Sequence, residues 1–488
     1  MRFIISGSFI AGFLFMVAVG DVSSEEMQRG TSPTPVAAPA APVVVASSTK
    51  IAAPETKMSV AAVPEQHEEN PGTIREAADT AGGPADTATE PAEPASDPSE
   101  GSETPSPIVD SSPAPEDTAE PSLSSEDALD GVDLSQMRFR EGKYRQRTAD
   151  GREVVFTVDA VLQKYADTLF AQYEVPAGAA VVLNSRTGRV IALSQERRIS
   201  DAAPSAAVAL DASPPAASLF KIVTAAALVD NGIPLERQTC YSGGSSGLNM
   251  HHIEDVLPKN HACADVATAL GRSINAIFAK LSDKFLNRTV LQQYAAKFGF
   301  NHPVDFDVPL QESEAEIPAE RLERARTAAG FWHTHLSPLH AASIAQSLAQ
   351  DGALLRPYVV DSVADASGNM LYRAKTKYLR HIVSRETADL LRHALVRTTQ
   401  VGTARKSFHD ANGRPYLPGI DVAGKTGTLT GEKPYRAYTW FVGLAPLDKP
   451  EVAVAVLVVN SPKWRIKAPQ MAALILKKYF EHQKSRHN

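Results

Sequence analysis

No Phe, Trp or Tyr occurs between residues 21 and 130, and the same stretch holds 16 of the chain's 34 prolines. It carries 22 acidic and 4 basic residues, a net charge of −18. A segment so poor in large apolar groups cannot offset the entropy lost on ordering, so it reads as a disordered, acidic, Pro/Ala-rich linker. As a coil its root-mean-square span is roughly 55–65 Å, lengthened by self-repulsion. The overall charge of the 488-residue chain, −7, is therefore a cancellation. Taking away the −18 of this stretch and the +1 of Arg2 leaves residues 131–488 at +10. The core-forming part is a basic region of up to 358 residues, the size of one large domain. Two cysteines are too few for a disulfide framework, and the composition excludes a collagen-like or coiled-coil chain.

Ahead of the linker, Phe3 to Val19 is apolar apart from Ser6 and Ser8 and follows the single charge of Arg2. Ala18 and Gly20 are the small residues required at a cleavage site before Asp21. A run of 17 residues is also just long enough to cross a bilayer. Residues 1–20 thus read either as a signal peptide that is removed or as an N-terminal membrane anchor. In both cases the rest of the chain is exported. The expected location is the periplasm, with membrane contact only through residues 3–19 if they stay uncut.

Order is expected to begin between Val132 and Val155. Val155 to Phe170 has apolar residues at helical spacing from Val158 onward, and Ala179–Asn184 with Arg189–Ser194 reads as a hairpin around Ser185-Arg186-Thr187-Gly188. A long region from Ala216 to Gln350 reads as mostly helical. Strands return at Val422–Leu429, Tyr438–Ala445 and Val452–Val459, and Lys467 to His482 closes the chain as a helix. This order predicts one antiparallel sheet drawn from both ends of residues 131–488, with the helical middle inserted as a subdomain.

Three short strings carry chemistry. Ser218-Leu219-Phe220-Lys221 follows Pro214-Pro215 and opens an apolar helix that stops at Asp230-Asn231-Gly232. At i and i+3, Ser218 and Lys221 share a face, and the helix's positive end favours an alkoxide at Ser218. A lysine buried there has a lowered pKa and can act as a base, which an activated serine requires. Alone the pattern is weak, because Ser47-Ser48-Thr49-Lys50 repeats it inside the linker. Ser273-Ile274-Asn275 has a double as well, Ser367-Gly368-Asn369, which reads as a turn. Lys425-Thr426-Gly427-Thr428 lies on a predicted strand bounded by Gly424, where glycine marks close approach of another backbone or a ligand.

In this order, 55 and 152 residues apart, the three strings resemble those of the penicillin-binding proteins and serine β-lactamases. Phe156-Thr157-Val158-Asp159, Ser337-Pro338-Leu339, Gly402-Thr403-Ala404 and Trp440-Phe441-Val442-Gly443 are similar to the family's flanking segments, and the likeness covers about residues 150–485. It implies an α/β (α+β) fold with a central antiparallel sheet, flanking helices and an all-helical subdomain. It implies a class B-like D,D-transpeptidase that cross-links peptidoglycan stem peptides and is acylated by β-lactam antibiotics. Ser218 would be the nucleophile, Lys221 its base and Ser273 the relay to the leaving D-Ala. Asn275 would hold the peptide, Lys425 would supply positive potential, and the hydroxyls of Thr426 and Thr428 would bind the terminal carboxylate, with Gly427 between them in the substrate-binding strand. The N–H groups of Ser218 and Thr428 would form the oxyanion hole. Neither a cofactor nor a metal is implied, nor a nucleic-acid partner; cell-wall synthesis proteins are the possible partners.

Alternatives remain open within the likeness. A β-lactamase needs deacylation equipment, and the Glu-x-x-Leu-Asn string of one class is missing from residues 285–330. A D,D-carboxypeptidase shares the first half-reaction, and an inactive wall-binding protein would keep the fold alone. The linker stands where relatives carry a folded module, which puts docking to a polymerase in doubt. Cys240 and Cys263 flank a Gly- and Ser-rich loop after the helix of Ser218. An oxidising compartment favours a disulfide, whereas His251, His252 and His261 nearby leave zinc or free thiols open. His333 and His335 read as packing or surface residues.

Overall fold

The structure, a computed structural model, describes residues 124–199, 207–245, 247–432 and 435–487. The apolar run at 3–19, the acidic linker up to residue 123 and the Ser47–Lys50 string lie outside the described residues. Among the described residues no helix is long and apolar enough to cross a membrane.

The central sheet joins both ends of residues 131–488, as the sequence predicts. Its strands are β1 (Ala177–Asn184), β2 (Val190–Arg197), β3 (Ala423–Glu432), β4 (Tyr435–Ala445) and β5 (Val452–Asn460). They lie in the order β3-β4-β5-β1-β2, and every neighbouring pair is antiparallel. All nine residues of β5 are buried, since this middle strand is covered on both faces and reads as an unbroken apolar run. Its alternation divides two cores. Val454, Val456 and Val458 face one, and Ala453, Ala455 and Leu457 face the other.

Helices fill both sides: α1 (Ala160–Gln172), α2 (Phe220–Asp230), α3 (Val266–Arg272), α4 (Asn275–Phe285), α5 (Pro338–Ala349), α6 (Arg385–Gln400) and α7 (Ala468–His487). Leu162 and Phe170 of α1 pack with Met471, Ile475 and Leu476 of α7 on one face of the sheet. Phe220 and Ile222 of α2 join Leu339 and Ile344 of α5 in the core on the other. β3 stands at the sheet edge, beside the turn that precedes α2.

Three expectations are corrected. The helix read from Val155 begins only at Ala160, where the Asp159 carboxylate caps it by accepting from the N–H groups of Val161 and Leu162, both at 3.0 Å. Glu153–Phe156 is instead a strand of a second five-stranded sheet, with Arg138–Arg140, Lys143–Arg147, Val360–Ala364 and Met370–Arg373. These strands are only three to five residues long, and the pairing of Glu153–Phe156 with Val360–Ala364 joins parts of the chain about 200 residues apart, which no local pattern reveals. The inserted region is not all-helical, because Gln238–Tyr241 pairs with Ala262–Asp265 inside it. Finally, packing begins before residue 131. Ala128 is fully buried, and Arg152 donates to the carbonyls of Asp127, Ala128 and Asp130. The scarcity of large apolar groups in this segment is what reads as linker.

Candidate active site

Phe220 to Leu228 of α2 are all buried, which is why the helix is apolar on every side. Ser218 lies in the 3-10 turn Ala217–Leu219 that runs into it. Ala217 takes φ +50°, a left-handed conformation that costs a residue with a Cβ and persists only where its surroundings enforce it. Two bonds to neighbouring segments do so. The Ala216 N–H donates to Thr334 O at 2.9 Å, and the Trp440 indole donates to Pro215 O at 2.9 Å. Two glycines let other backbone approach. A Cβ on Gly330 (φ +81°) would stand 2.4 Å from Ala217 O and 2.8 Å from Ser218 Cα. A Cβ on Gly427 would meet the Ala217 Cβ at 3.3 Å. β3 and the chain around Gly330 therefore close directly on the turn that carries Ser218.

Lys221, one helical turn on, is fully buried. Its Nζ lies 2.9 Å from Ser218 Oγ, 2.7 Å from Asn275 Oδ1 and against the Ala329 carbonyl. The Asn275 amide can point only one way, because its Nδ2 donates to Gly244 O at 3.2 Å and Ser245 O at 3.1 Å. Burial, and after it the charge of Lys425, holds Lys221 well below the ordinary lysine pKa. A neutral amine has two N–H donors and one lone pair. Asn275 Oδ1 and Ala329 O take the two donors, which leaves the lone pair for the Ser218 hydroxyl proton.

Lys425 reaches the site from β3 and is equally buried. Its Nζ donates to Ser273 Oγ and to Thr426 O, each at 2.9 Å, and burial lowers its pKa to about 7. Ser273 caps α3 in a left-handed conformation (φ +56°), and α4 starts at Asn275. That reversal sends the two polar side chains of Ser-Ile-Asn to different lysines. Thr426 Oγ1 shares a 2.5 Å hydrogen bond with Thr403 Oγ1, and Thr428 is exposed on the edge strand.

All the strings singled out from order and spacing thus meet at one place. The decoy Ser367-Gly368-Asn369 does not: its Ser367 and Asn369 N–H groups donate to Asp365 Oδ1 in a surface turn. Sequence reasoning assigned no role to Thr403, although it noted the Gly402-Thr403-Ala404 string. It could not find the carbonyls of Ala329, Gly244 and Ser245, because a backbone acceptor leaves no residue signature. Cys240 and Cys263 form a disulfide with an S–S distance of 1.95 Å, which sets aside the zinc and free-thiol readings. A ring nitrogen of His261 lies within 4.8 Å of both sulfurs. His252 Nδ1 accepts from Asn249 N at 2.9 Å, and His333 Nε2 lies 3.5 Å from Glu323.

The family model of the penicillin binding protein transpeptidase domain matches residues 178–479. The chain belongs to this family. Among curated relatives, it is 25% identical over 342 residues to stage V sporulation protein D of Bacillus subtilis, which covers 65% of this chain and 51% of that protein. It is 26% identical over 326 residues to the peptidoglycan D,D-transpeptidase PbpA of Mycobacterium tuberculosis, covering 58% of this chain and 62% of that one. The penicillin-binding transpeptidase fold is matched among solved structures too. The D,D-transpeptidase domain of a peptidoglycan glycosyltransferase from Eggerthella lenta superposes with a TM-score of 0.56 at 26% identity, over 68% of this chain and 84% of that domain. The chain therefore spans between half and two thirds of the length of these curated relatives.

Proposed function

We propose that this protein is a serine D,D-transpeptidase that cross-links peptidoglycan stem peptides, and that β-lactams acylate the same serine. One observation carries the reading: Lys221 Nζ lies 2.9 Å from Ser218 Oγ, with Asn275 Oδ1 and the Ala329 carbonyl as its other two partners. The lone pair of Lys221 accepts the Ser218 proton as Oγ attacks the carbonyl of the penultimate D-Ala. The tetrahedral oxyanion forms at the backbone N–H groups of Ser218 and Thr428, at the positive end of α2. Ser273 passes a proton to the departing D-Ala amine. Lys425, Thr426 and Thr428 receive the terminal carboxylate, with Gly427 keeping the strand close. An amine of a neighbouring stem peptide then attacks the acyl-enzyme and frees Ser218. The Cys240–Cys263 disulfide supports action outside the cytoplasm, since disulfides persist in oxidising compartments.

The test is covalent labelling. Fluorescent penicillin should acylate the purified protein, and Ser218→Ala should abolish the label. A label that persists on that variant overturns the assignment. Rapid release of hydrolysed penicillin would instead make the protein a β-lactamase.

A further inference from the structure

The Cys240–Cys263 disulfide stands at the root of two paths that both end in the active site. Cys240 and Cys263 face each other across the paired strands Gln238–Tyr241 and Ala262–Asp265. Beyond Cys240 the chain reaches Gly244 and Ser245, whose carbonyls accept both bonds of Asn275 Nδ2. Further on, the Leu248 carbonyl accepts from Arg326 Nε at 3.0 Å, three residues before Ala329. Beyond Cys263 comes Asp265, which caps α3 by accepting from Thr268 N at 2.5 Å and is gripped by Arg397 Nη1 at 3.0 Å. α3 ends at Ser273. A third tie runs across the strands, where buried Lys280 of α4 donates to the Cys240 carbonyl at 3.3 Å.

We propose that Cys240 and Cys263 are positioning residues for acylation. Their disulfide fixes Ser273 through α3 and the amide of Asn275 through the Gly244 and Ser245 carbonyls, so that thiol–disulfide exchange sets the rate at Ser218. This rests on the transpeptidase reading above. With the strands untied, the Gly244 and Ser245 carbonyls lose their fixed place, and Asn275 Oδ1 no longer holds one of the two N–H groups of Lys221. The bond is open to exchange, because Cys263 is solvent-exposed. A dithiol reductant attacks Cys263 Sγ, the S–S bond breaks and its electron pair leaves on Cys240 Sγ, which takes up a proton. The second thiol of the reductant then displaces Cys263, leaving the protein with two thiols and the reductant as a disulfide. The imidazole of His261, beside both sulfurs, can stabilise the leaving thiolate when protonated.

The test uses the full-length protein, oxidised, reduced with excess dithiothreitol, and re-oxidised with glutathione disulfide. Thiol titration verifies each state, and circular dichroism measures the folded fraction. The second-order rate constant for acylation by fluorescent penicillin should fall on the order of tenfold to a hundredfold on reduction, the scale expected for displaced catalytic groups. The acid limb of its pH profile should move, and re-oxidation should restore both. A Cys240→Ala/Cys263→Ala variant should match the reduced protein and ignore the reductant. Equal rates in the oxidised and reduced proteins overturn the proposal and leave the transpeptidase reading intact. A loss that only tracks the folded fraction, with the pH limb unmoved, also overturns it, since that is the mark of a merely structural staple. Failure of the oxidised protein to acylate at all overturns the transpeptidase reading instead.

Discussion

Lys221 and Lys425 are both fully buried, yet they reach the site from different elements and keep different company. Lys221, on a helix, has two carbonyl oxygens and one hydroxyl around its amine. Lys425, on an edge strand, has one hydroxyl and one carbonyl. Burial lowers the pKa of both, and Lys221 also feels the charge of Lys425. Charge on Lys425 thus helps keep Lys221 neutral, so one amine is poised as a base while the other remains able to attract a carboxylate. Burial alone does not separate these roles; the charge of Lys425 beside Lys221 does.

The largest effect that can break this contrast is expected at Lys221. Lys221→Met removes the base and should lower the acylation rate constant by about 10²–10⁴. Lys425→Met removes a charge-assisted contact to the carboxylate and should cost less, about 10- to 100-fold. Acylation kinetics with labelled penicillin read both. Equal losses would mean that the two amines do one job.

The contrast should next appear in pH. With Lys425 near 7, carboxylate capture by the free enzyme should weaken as pH rises through about 7, and Lys425→Arg should carry that limb upward. Stability follows the opposite sense. The folded-state pKa of Lys425 is about 7, and the unfolded value is about 10.4. Between these values the unfolded chain binds more protons, so the stability of the fold rises with pH across that window. Below it both states are protonated and the full cost of burying the charge remains. Lys425→Met should therefore raise Tm most below about pH 7, with the gain shrinking toward pH 10. A Tm gain independent of pH would show that folding does not lower the pKa of this amine.

A milder perturbation tests how closely the nucleophile must be held between the two amines. Gly330→Ala places a Cβ 2.4 Å from Ala217 O at φ +81°. It should lower Tm and reduce acylation by about tenfold, on the scale of 1–3 kcal/mol of local strain. Unchanged acylation kinetics would show that the turn tolerates displacement.

What the sequence revealed follows the same division. β5 and α2 were legible because burial on all sides leaves an unbroken apolar run. Lys221 and Lys425 were legible because order and spacing separated their strings from decoys. The second sheet was not, since strands such as Arg138–Arg140 are short, and all three of its residues are exposed. Nor could the acceptors around the amine of Lys221 be read. Ala329, Gly244 and Ser245 act through backbone carbonyls, and only the folded chain brings those to an amine.

The smallest expected effect sharpens the comparison from outside the site. The chain has two Ser-x-Asn strings, and only one links the lysines: Ser273 meets Lys425 and Asn275 meets Lys221. The other, Ser367-Gly368-Asn369, spends its polar groups on Asp365 in an exposed turn. Replacing Ser367 and Asn369 together by Ala should leave acylation within about twofold of the parent, because neither side chain touches either amine, and should lower Tm only slightly. Ser273→Ala should cost on the order of tenfold or more, since it removes the hydroxyl between Lys425 and the substrate. If the surface pair altered acylation as much as Ser273 does, contact with the lysines could not be what gives the string its role.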